Sequence, residues 1–203
     1  TGNTYTTTAL NSDSVYYVEN VILAPVQNVG SVNSNTAGGF FTNTNQHYLV
    51  FDVYKECRLV SVKVNANTAG VRNIQLKNAL GTVIADANIN IPAGVSRITL
   101  NFDLVPGNNY QLAGPGSPGL WRNDAGCTYP YTITGLVSIK TSSAQTNPTN
   151  YYYYFFDWEV KEGDCLSDRV GVTAVVDNCN SVNTPAIQDV SLYPNPADNE
   201  IYL

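Results

Sequence analysis

The sequence predicts an all-β protein whose main body is an antiparallel, jelly-roll-like β-sandwich. Three observations carry that expectation. Apolar residues recur with period two, and no segment sustains a helical period. Turn signals punctuate the chain at short intervals, at Ala69-Gly70, Leu80-Gly81, Pro92-Ala93-Gly94 and Pro106-Gly107. Charged residues make up 13% of the 203, about half the usual share. Thr, Asn, Ser, Tyr and Val take their place, as in an extracellular β protein with a neutral polar surface.

The strands follow in order. In the first, near 47–54, Leu49, Phe51 and Val53 alternate with Tyr48, Val50 and Asp52. In the second, near 58–66, Val60, Val62 and Val64 alternate with Ser61, Lys63 and Asn65. Further strands are expected near 71–77 and 82–89. The clearest lies near 96–104, where Ile98, Leu100, Phe102 and Leu104 alternate with Arg97, Thr99, Asn101 and Asp103. Segments near 109–113, 132–140 and 151–160 complete the set. Each would bury one face and wet the other, as in antiparallel sheets.

The last strand opens with an unbroken run of six aromatics, Tyr151 to Phe156, continued by Trp158. Strand alternation puts Tyr152, Tyr154, Phe156, Trp158 and Val160 in the core. Tyr151, Tyr153 and Phe155 then share the other face with Asp157 and Glu159. A large apolar face either packs within the protein or serves an interface. Tyr151, Tyr153 and Phe155 are therefore candidates for packing against a neighbouring module or for self-association.

A second cluster falls in the Gly- and Pro-rich loop from Gly114 to Tyr131. It holds Trp121, Arg122, Asn123, Asp124, Tyr129 and Tyr131. Aromatic faces stack against the C–H surfaces of sugars, while Arg, Asn and Asp can fix hydroxyls. The competing reading is a loop plugged into the sandwich end by Trp121 and tethered by Cys127.

Composition excludes other classes. A net charge of −6 and a pI near 4.5 disfavour a nucleic-acid partner, which needs clustered Lys and Arg. No stretch approaches the roughly 18 to 20 apolar residues that span a bilayer. Catalysis finds little support. The single histidine, His47, has no Gly-x-Ser-x-Gly turn to serve. A Cys57–His47 nucleophile and base is conceivable, as are Asp157 and Glu159 as an acid/base pair, roughly 7 Å apart by strand geometry. Both are outweighed by structural roles, and no enzyme is expected. One structural calcium is possible, with Asp52, Asp103, Asp124 and Asp157 as candidate ligands, though no spacing is diagnostic.

Four cysteines, Cys57, Cys127, Cys165 and Cys179, suit disulfides better than zinc, since no Cys-x-x-Cys occurs. Cys165 and Cys179 bracket one strand-like segment and are the expected pair, which leaves Cys57 for Cys127. Four cysteines allow three connectivities, and sequence does not choose among them.

Three segments resemble known families. Leu192-Tyr193-Pro194-Asn195-Pro196-Ala197, followed by Asp198 and an alternating start at Ile201, resembles the opening of the C-terminal sorting domain of Bacteroidetes type IX secretion substrates. It covers under a tenth of the chain. The resemblance implies an extracellular or outer-membrane-surface location, and a longer parent protein, because only the first strand of such a domain fits before Leu203.

The body resembles a β-sandwich module that recurs in large exported Bacteroidetes proteins. The matching text includes Asn45-Gln46-His47, Phe51-Asp52-Val53-Tyr54-Lys55, Ile91-Pro92-Ala93-Gly94, Tyr129-Pro130-Tyr131 and Phe156-Asp157-Trp158-Glu159. Binding to a glycan or cell-surface polymer, or adhesion, is what that resemblance implies. Finally, Thr1-Gly2-Asn3-Thr4 through Val18-Glu19, with Cys165-Leu166-Ser167-Asp168-Arg169 and Val170 to Val176, resembles the ending of an immunoglobulin-like repeat.

The expected organisation is therefore immunoglobulin-like tail strands over 1–24, the sandwich over 25–161, and a Cys-bracketed strand over 162–180. A polar linker at 181–190 and the start of the sorting domain at 191–203 follow. Either the sandwich is inserted into the repeat or the 162–180 strand docks on it. The expected role is that of a non-catalytic accessory module, binding glycan or cell surface. The alternative is a structural spacer or a subunit of an adhesive assembly.

Overall fold

The computed structural model describes residues 4–176. The expected linker, the sorting segment and Cys179 lie outside the described residues. The described chain is all-β and antiparallel, with one short 3₁₀ turn at Pro148–Asn150. No helix among the described residues is long and apolar enough to cross a membrane.

In chain order the strands are β1 (Ser14–Val18), β2 (Val21–Ile22), β3 (Val26–Val29), β4 (Gly38–Phe41), β5 (Tyr48–Val53) and β6 (Cys57–Ala66). Then come β7 (Gly70–Lys77), β8 (Val83–Ile91), β9 (Gly94–Leu104), β10 (Gly107–Ala113), β11 (Leu120–Asn123) and β12 (Tyr131–Ile133). The last are β13 (Val137–Ser142), β14 (Tyr152–Tyr153), β15 (Phe156–Glu162), β16 (Cys165–Leu166) and β17 (Val170–Ala174).

The chain divides into two units. The smaller comprises 4–20 and 167–176 of the described residues, where β1 pairs with β17 from Ser14↔Ala174 to Val18↔Val170. The Ser167 hydroxyl accepts from the Asn20 amide (2.8 Å), and Arg169 pairs with Glu19 (2.9 Å). The two flanks of the described chain thus pair with each other. The division falls at 20/21 and 166/167, rather than 24/25 and 161/162, because β2 pairs with β16. Cys165 therefore belongs with the larger unit.

That unit, Val21–Leu166, is a jelly roll. Four antiparallel pairs nest inside one another: β4 with β11, β5 with β10, β6 with β9, and β7 with β8. Successive pairs alternate between two sheets, the pattern of one long hairpin rolled into a sandwich. One sheet runs β5-β10-β7-β8, extended beside β5 by β13 and β12. The other runs β4-β11-β6-β9, with β15 and then β3 along the rest of β6 and β14 beside β11.

The core forms between the sheets from the predicted alternations. Leu49, Phe51 and Val53 face Ile98, Leu100, Phe102 and Leu104, all buried. Strand β6 corrects the expected pattern. Its register against both β9 and β15 shifts just after Leu59, so the buried stripe passes from Cys57 and Leu59 to Val62, Val64 and Ala66. Val60 drops out of it, as an irregular register dictates. Arg72 supplies a buried charge that the alternation did not reveal. Its guanidinium donates to the carbonyls of Pro118 (2.6 Å), Gly70 (3.0 Å) and Thr68 (2.9 Å), tying the glycine-rich loop to β7.

The aromatic run also departs from simple alternation. Tyr154 adopts φ 64°, and the Phe155 amide donates to the Tyr153 carbonyl (2.8 Å), a tight reversal that ends β14 and starts β15. The kink turns both sides of the run inward. Tyr152, Tyr153, Tyr154, Phe155, Phe156 and Trp158 are all buried. Trp158 meets Phe51 edge-on at 5.1 Å and donates its indole N–H to the Phe155 carbonyl (2.6 Å).

The expected Cys57–Cys127 disulfide does not form. Cys57 begins β6, and Ala66 at the strand's far end pairs with Leu120, on the approach to Cys127. Ten strand residues span about 30 Å, whereas bridged cysteines need Cα atoms within about 7 Å. Burial pushes both thiols up to about 11.

Gly30 marks where β3 turns beneath the aromatic run. It sits at φ 100°, and a Cβ there would collide with the Tyr152 hydroxyl. Gly30→Ala is expected to destabilise the sandwich by about 1–3 kcal/mol through left-handed strain and overpacking. Urea denaturation measures it, and an unchanged midpoint would show that Tyr152 is free to move aside.

Candidate functional site

A polar cleft of about 640 Å³ opens at the end of the sandwich where β5, β11 and β14 meet. Its walls carry His47, Arg122, Ser143, Tyr151 and Tyr153, and its rim carries Asn45, Gln46 and Gln145. Both sheets contribute: His47 precedes β5 and Ser143 follows β13, while Arg122 lies on β11 and Tyr153 on β14.

Strand geometry aims Arg122 into this space. Leu120 is buried in the core, and alternation puts Arg122 on the same face of β11, one step towards the mouth. There the guanidinium lies 4.7 Å over the Tyr151 ring, 5.2 Å over Phe41 and 5.6 Å over Tyr153. Its Nε donates to Asp124 Oδ1 at 2.6 Å. Burial pulls the Arg122 pKa down, but Asp124 and Tyr153 outweigh it and hold the group above its ordinary value.

His47 stacks flat on Tyr153, with ring centroids 4.4 Å apart and planes 2° apart. Its Nδ1 lies 2.8 Å from the Ser143 hydroxyl, which also accepts from the Tyr48 amide (3.0 Å). With that amide on a lone pair, the hydroxyl proton is free for Nδ1, an arrangement that favours the Nε2–H tautomer. Burial, reinforced by Arg122, lowers the His47 pKa and keeps the ring neutral at neutral pH. Burial likewise raises Tyr153, so its phenol stays protonated. The cleft thus presents a half-buried aromatic ring, a pinned guanidinium, neutral donors and amides.

The sequence candidates scatter. Of the six loop residues, Arg122 alone lines the cleft, with Asp124 behind it. Trp121 and Asn123 take the opposite face of β11. There Trp121 meets Phe40 edge-on at 5.0 Å, and the buried Asn123 accepts from the Asn35 amide (3.0 Å). Tyr129 and Tyr131 pack around Tyr152, with centroids 5.8 and 5.3 Å away. Of the interface candidates, Tyr153 and Phe155 are buried within the sandwich and only Tyr151 is partly exposed. They are internal packing, and Tyr151 and Tyr153 join the cleft instead. His47, Gln46 and Ser143 escaped sequence reasoning as residues of this cleft. The one available signal was the Asn45-Gln46-His47 text ahead of a strand.

The remaining candidates are structural. Asp157 is held by Arg97, by Lys63 (3.3 Å) and by the Asn28 amide (2.9 Å). Glu159 accepts from Ser61 (2.6 Å) and faces Arg97 at 3.5 Å. Neither is free to act on a glycosidic bond. Asp52 pairs with Lys140 (2.8 Å), Asp103 with Arg58 (2.7 Å) and Asp124 with Arg122. Each candidate calcium ligand already faces a cation, and no group of three or more His, Cys, Asp or Glu converges among the described residues. They do not fit a calcium site. His47 and Cys57 line different clefts, at opposite ends of the sandwich, so they form no nucleophile–base pair.

No protein-family model matches the chain, and no curated protein matches it.

The Asp157 network sets an acid limit. Burial raises its carboxyl pKa, but Asn28, Lys63 and Arg97 outweigh that and hold it below the usual aspartate value. A depressed folded pKa contributes stability above the unfolded value of about 3.9 and loses it as pH falls through the folded value. Asp157→Asn is expected to lower stability at pH 7 and to flatten the loss below about pH 4. Thermal melts across that range measure both. Parallel curves for the two proteins would remove Asp157 as the acid-sensitive group.

Proposed function

We propose that this chain is a non-catalytic glycan-binding module of an exported or cell-surface protein, and that the cleft between β5, β11 and β14 is its binding site. The observation that carries this reading is the pairing of Tyr151 and Arg122. A partly exposed ring lies 4.7 Å beneath a guanidinium that lines the same cleft. A sugar offers a C–H face to the ring and hydroxyls to the guanidinium, His47 and Gln46.

The electrostatics favour a neutral ligand. Arg122 is balanced by Asp124, and the lowered pKa of His47 keeps its ring uncharged. The C-terminal Tyr193-Pro194-Asn195-Pro196 text supports export. The neutral polar composition agrees with an extracellular setting.

The purified chain, applied to a panel of insoluble polysaccharides and a glycan array, is expected to be retained. Arg122→Ala and Tyr151→Ala should each weaken retention by about tenfold or more, the scale of a lost hot-spot contact. Arg58→Ala, at the opposite end of the sandwich, should leave it unchanged. No retention on any polymer would replace this reading with a spacer or assembly role.

A further inference from the structure

The cleft does not end at its rim. Tyr48, which lines it, points outward from β5, because its neighbours Leu49, Phe51 and Val53 alternate into the core. Across the outer face of that sheet Tyr48 is opposite Ala113, Ala113 opposite Gln75, and Gln75 opposite Asp86. The row crosses three strand spacings, about 14 Å.

A hydrogen-bonded relay of side chains follows the same face. Lys77 donates to Gln46. Gln46 donates to Gln75 (3.1 Å), Gln75 to Asn73 (2.8 Å), and Asn73 to both Asp86 (2.7 Å) and Asn88 (3.0 Å). Gln46 belongs to both systems, since it is a member of the relay and lies on the rim of the cleft.

Each amide in the relay is oriented by its neighbour and keeps unused capacity. The second Gln75 N–H, both Asn88 N–H groups and the second lone pair of each carbonyl oxygen remain available. Head-to-tail amides of this kind display alternating donors and acceptors at fixed spacing. Hydroxyl groups, which both donate and accept, complement such a row. Fixing the amides in advance removes the side-chain ordering cost that binding would otherwise carry. Charge is balanced as well, with Lys77 at one end and Asp86 at the other.

Resting on the cleft as a glycan site, we propose that the Gln75–Asn73–Asn88 relay extends it into a path across the outer face of the β5-β10-β7-β8 sheet. The module then binds an internal stretch of a linear, neutral polysaccharide rather than a chain end or a single sugar.

Calorimetric titration with cello-, xylo-, manno- and laminari-oligosaccharides, from disaccharide to hexasaccharide, tests the extension. The expected result is affinity for at least one series that climbs with length. Asn88→Ala and Asn73→Ala should each cost about five- to tenfold against the hexasaccharide, the worth of a hydrogen bond or two, and nothing against the disaccharide. Asn88 is exposed at the end of the relay, so its removal leaves the fold intact even if Asn73→Ala does not. Affinity that is flat with length, with the Asn88 variant neutral and Arg122→Ala still defective, would overturn the extension and leave the cleft standing. Absence of binding to every series, together with no retention on the polymer panel, would overturn both.

Discussion

The reversal at Tyr154 is the constraint on which the rest of this sandwich depends. Six consecutive aromatics in a straight strand would put three rings on each face, and one face would have to find cover outside the sheet. The left-handed residue, closed by the Phe155 amide on the Tyr153 carbonyl, removes that problem by folding the run onto itself. Left-handed conformation at a tyrosine is costly. Burying five rings of the run together with Trp158 at about 25 cal/mol per Å² outweighs that cost many times over. The kink also shapes the cleft. It puts Tyr153 under His47 and leaves Tyr151 at the surface beneath Arg122. Packing and site geometry therefore share one cause.

The architecture was largely legible because long strands with one buried face leave a period-two trace. Strand β9 shows it without a flaw, and β5 and β7 nearly so. What escaped were short strands with no room for a period: β3, β4 and β11 have four residues each. In β4 two of the four are glycines, and a Cβ on Gly38 would strike the Arg122 carbonyl, so the glycine signals close strand approach rather than a loop. The register shift in β6 was hidden because Val60, Val62 and Val64 look like one stripe. Only the pairing with two neighbours shows that Val60 leaves it.

The site was half legible for a different reason. Residue types pointed to Arg122 and to the aromatic run, but the sequence listed them in separate clusters, some thirty positions apart. Nested pairing joins them. Because β11 pairs with both β4 and β14, Arg122 comes beside Tyr153 and Phe41 together. The opposite error, assigning Asn123 and Trp121 to the same site, came from treating β11 as a loop. Once the segment is a strand, adjacent residues must part to opposite faces.

The distribution of charge bears on the chemistry of the proposed ligand. The end of the sandwich opposite the cleft carries Lys55 with Glu162, Arg58 with Asp103, and Lys161 with Asp164. The outer face beside β15 carries Arg97 and Lys63 around Asp157. These groups neutralise one another locally, and exposed pairs of this kind contribute little stability. In the cleft Arg122 is likewise matched by Asp124, and the outer face continues in amides. With Arg122 matched by Asp124 and the relay carrying Lys77 at one end and Asp86 at the other, neither an anionic nor a cationic polymer would meet a strong complementary field there. A neutral, hydroxyl-rich chain suits that balance and the relay's alternating donors and acceptors, and it is the ligand class proposed. The low charge content that first marked this sequence is thus also what selects its proposed ligand.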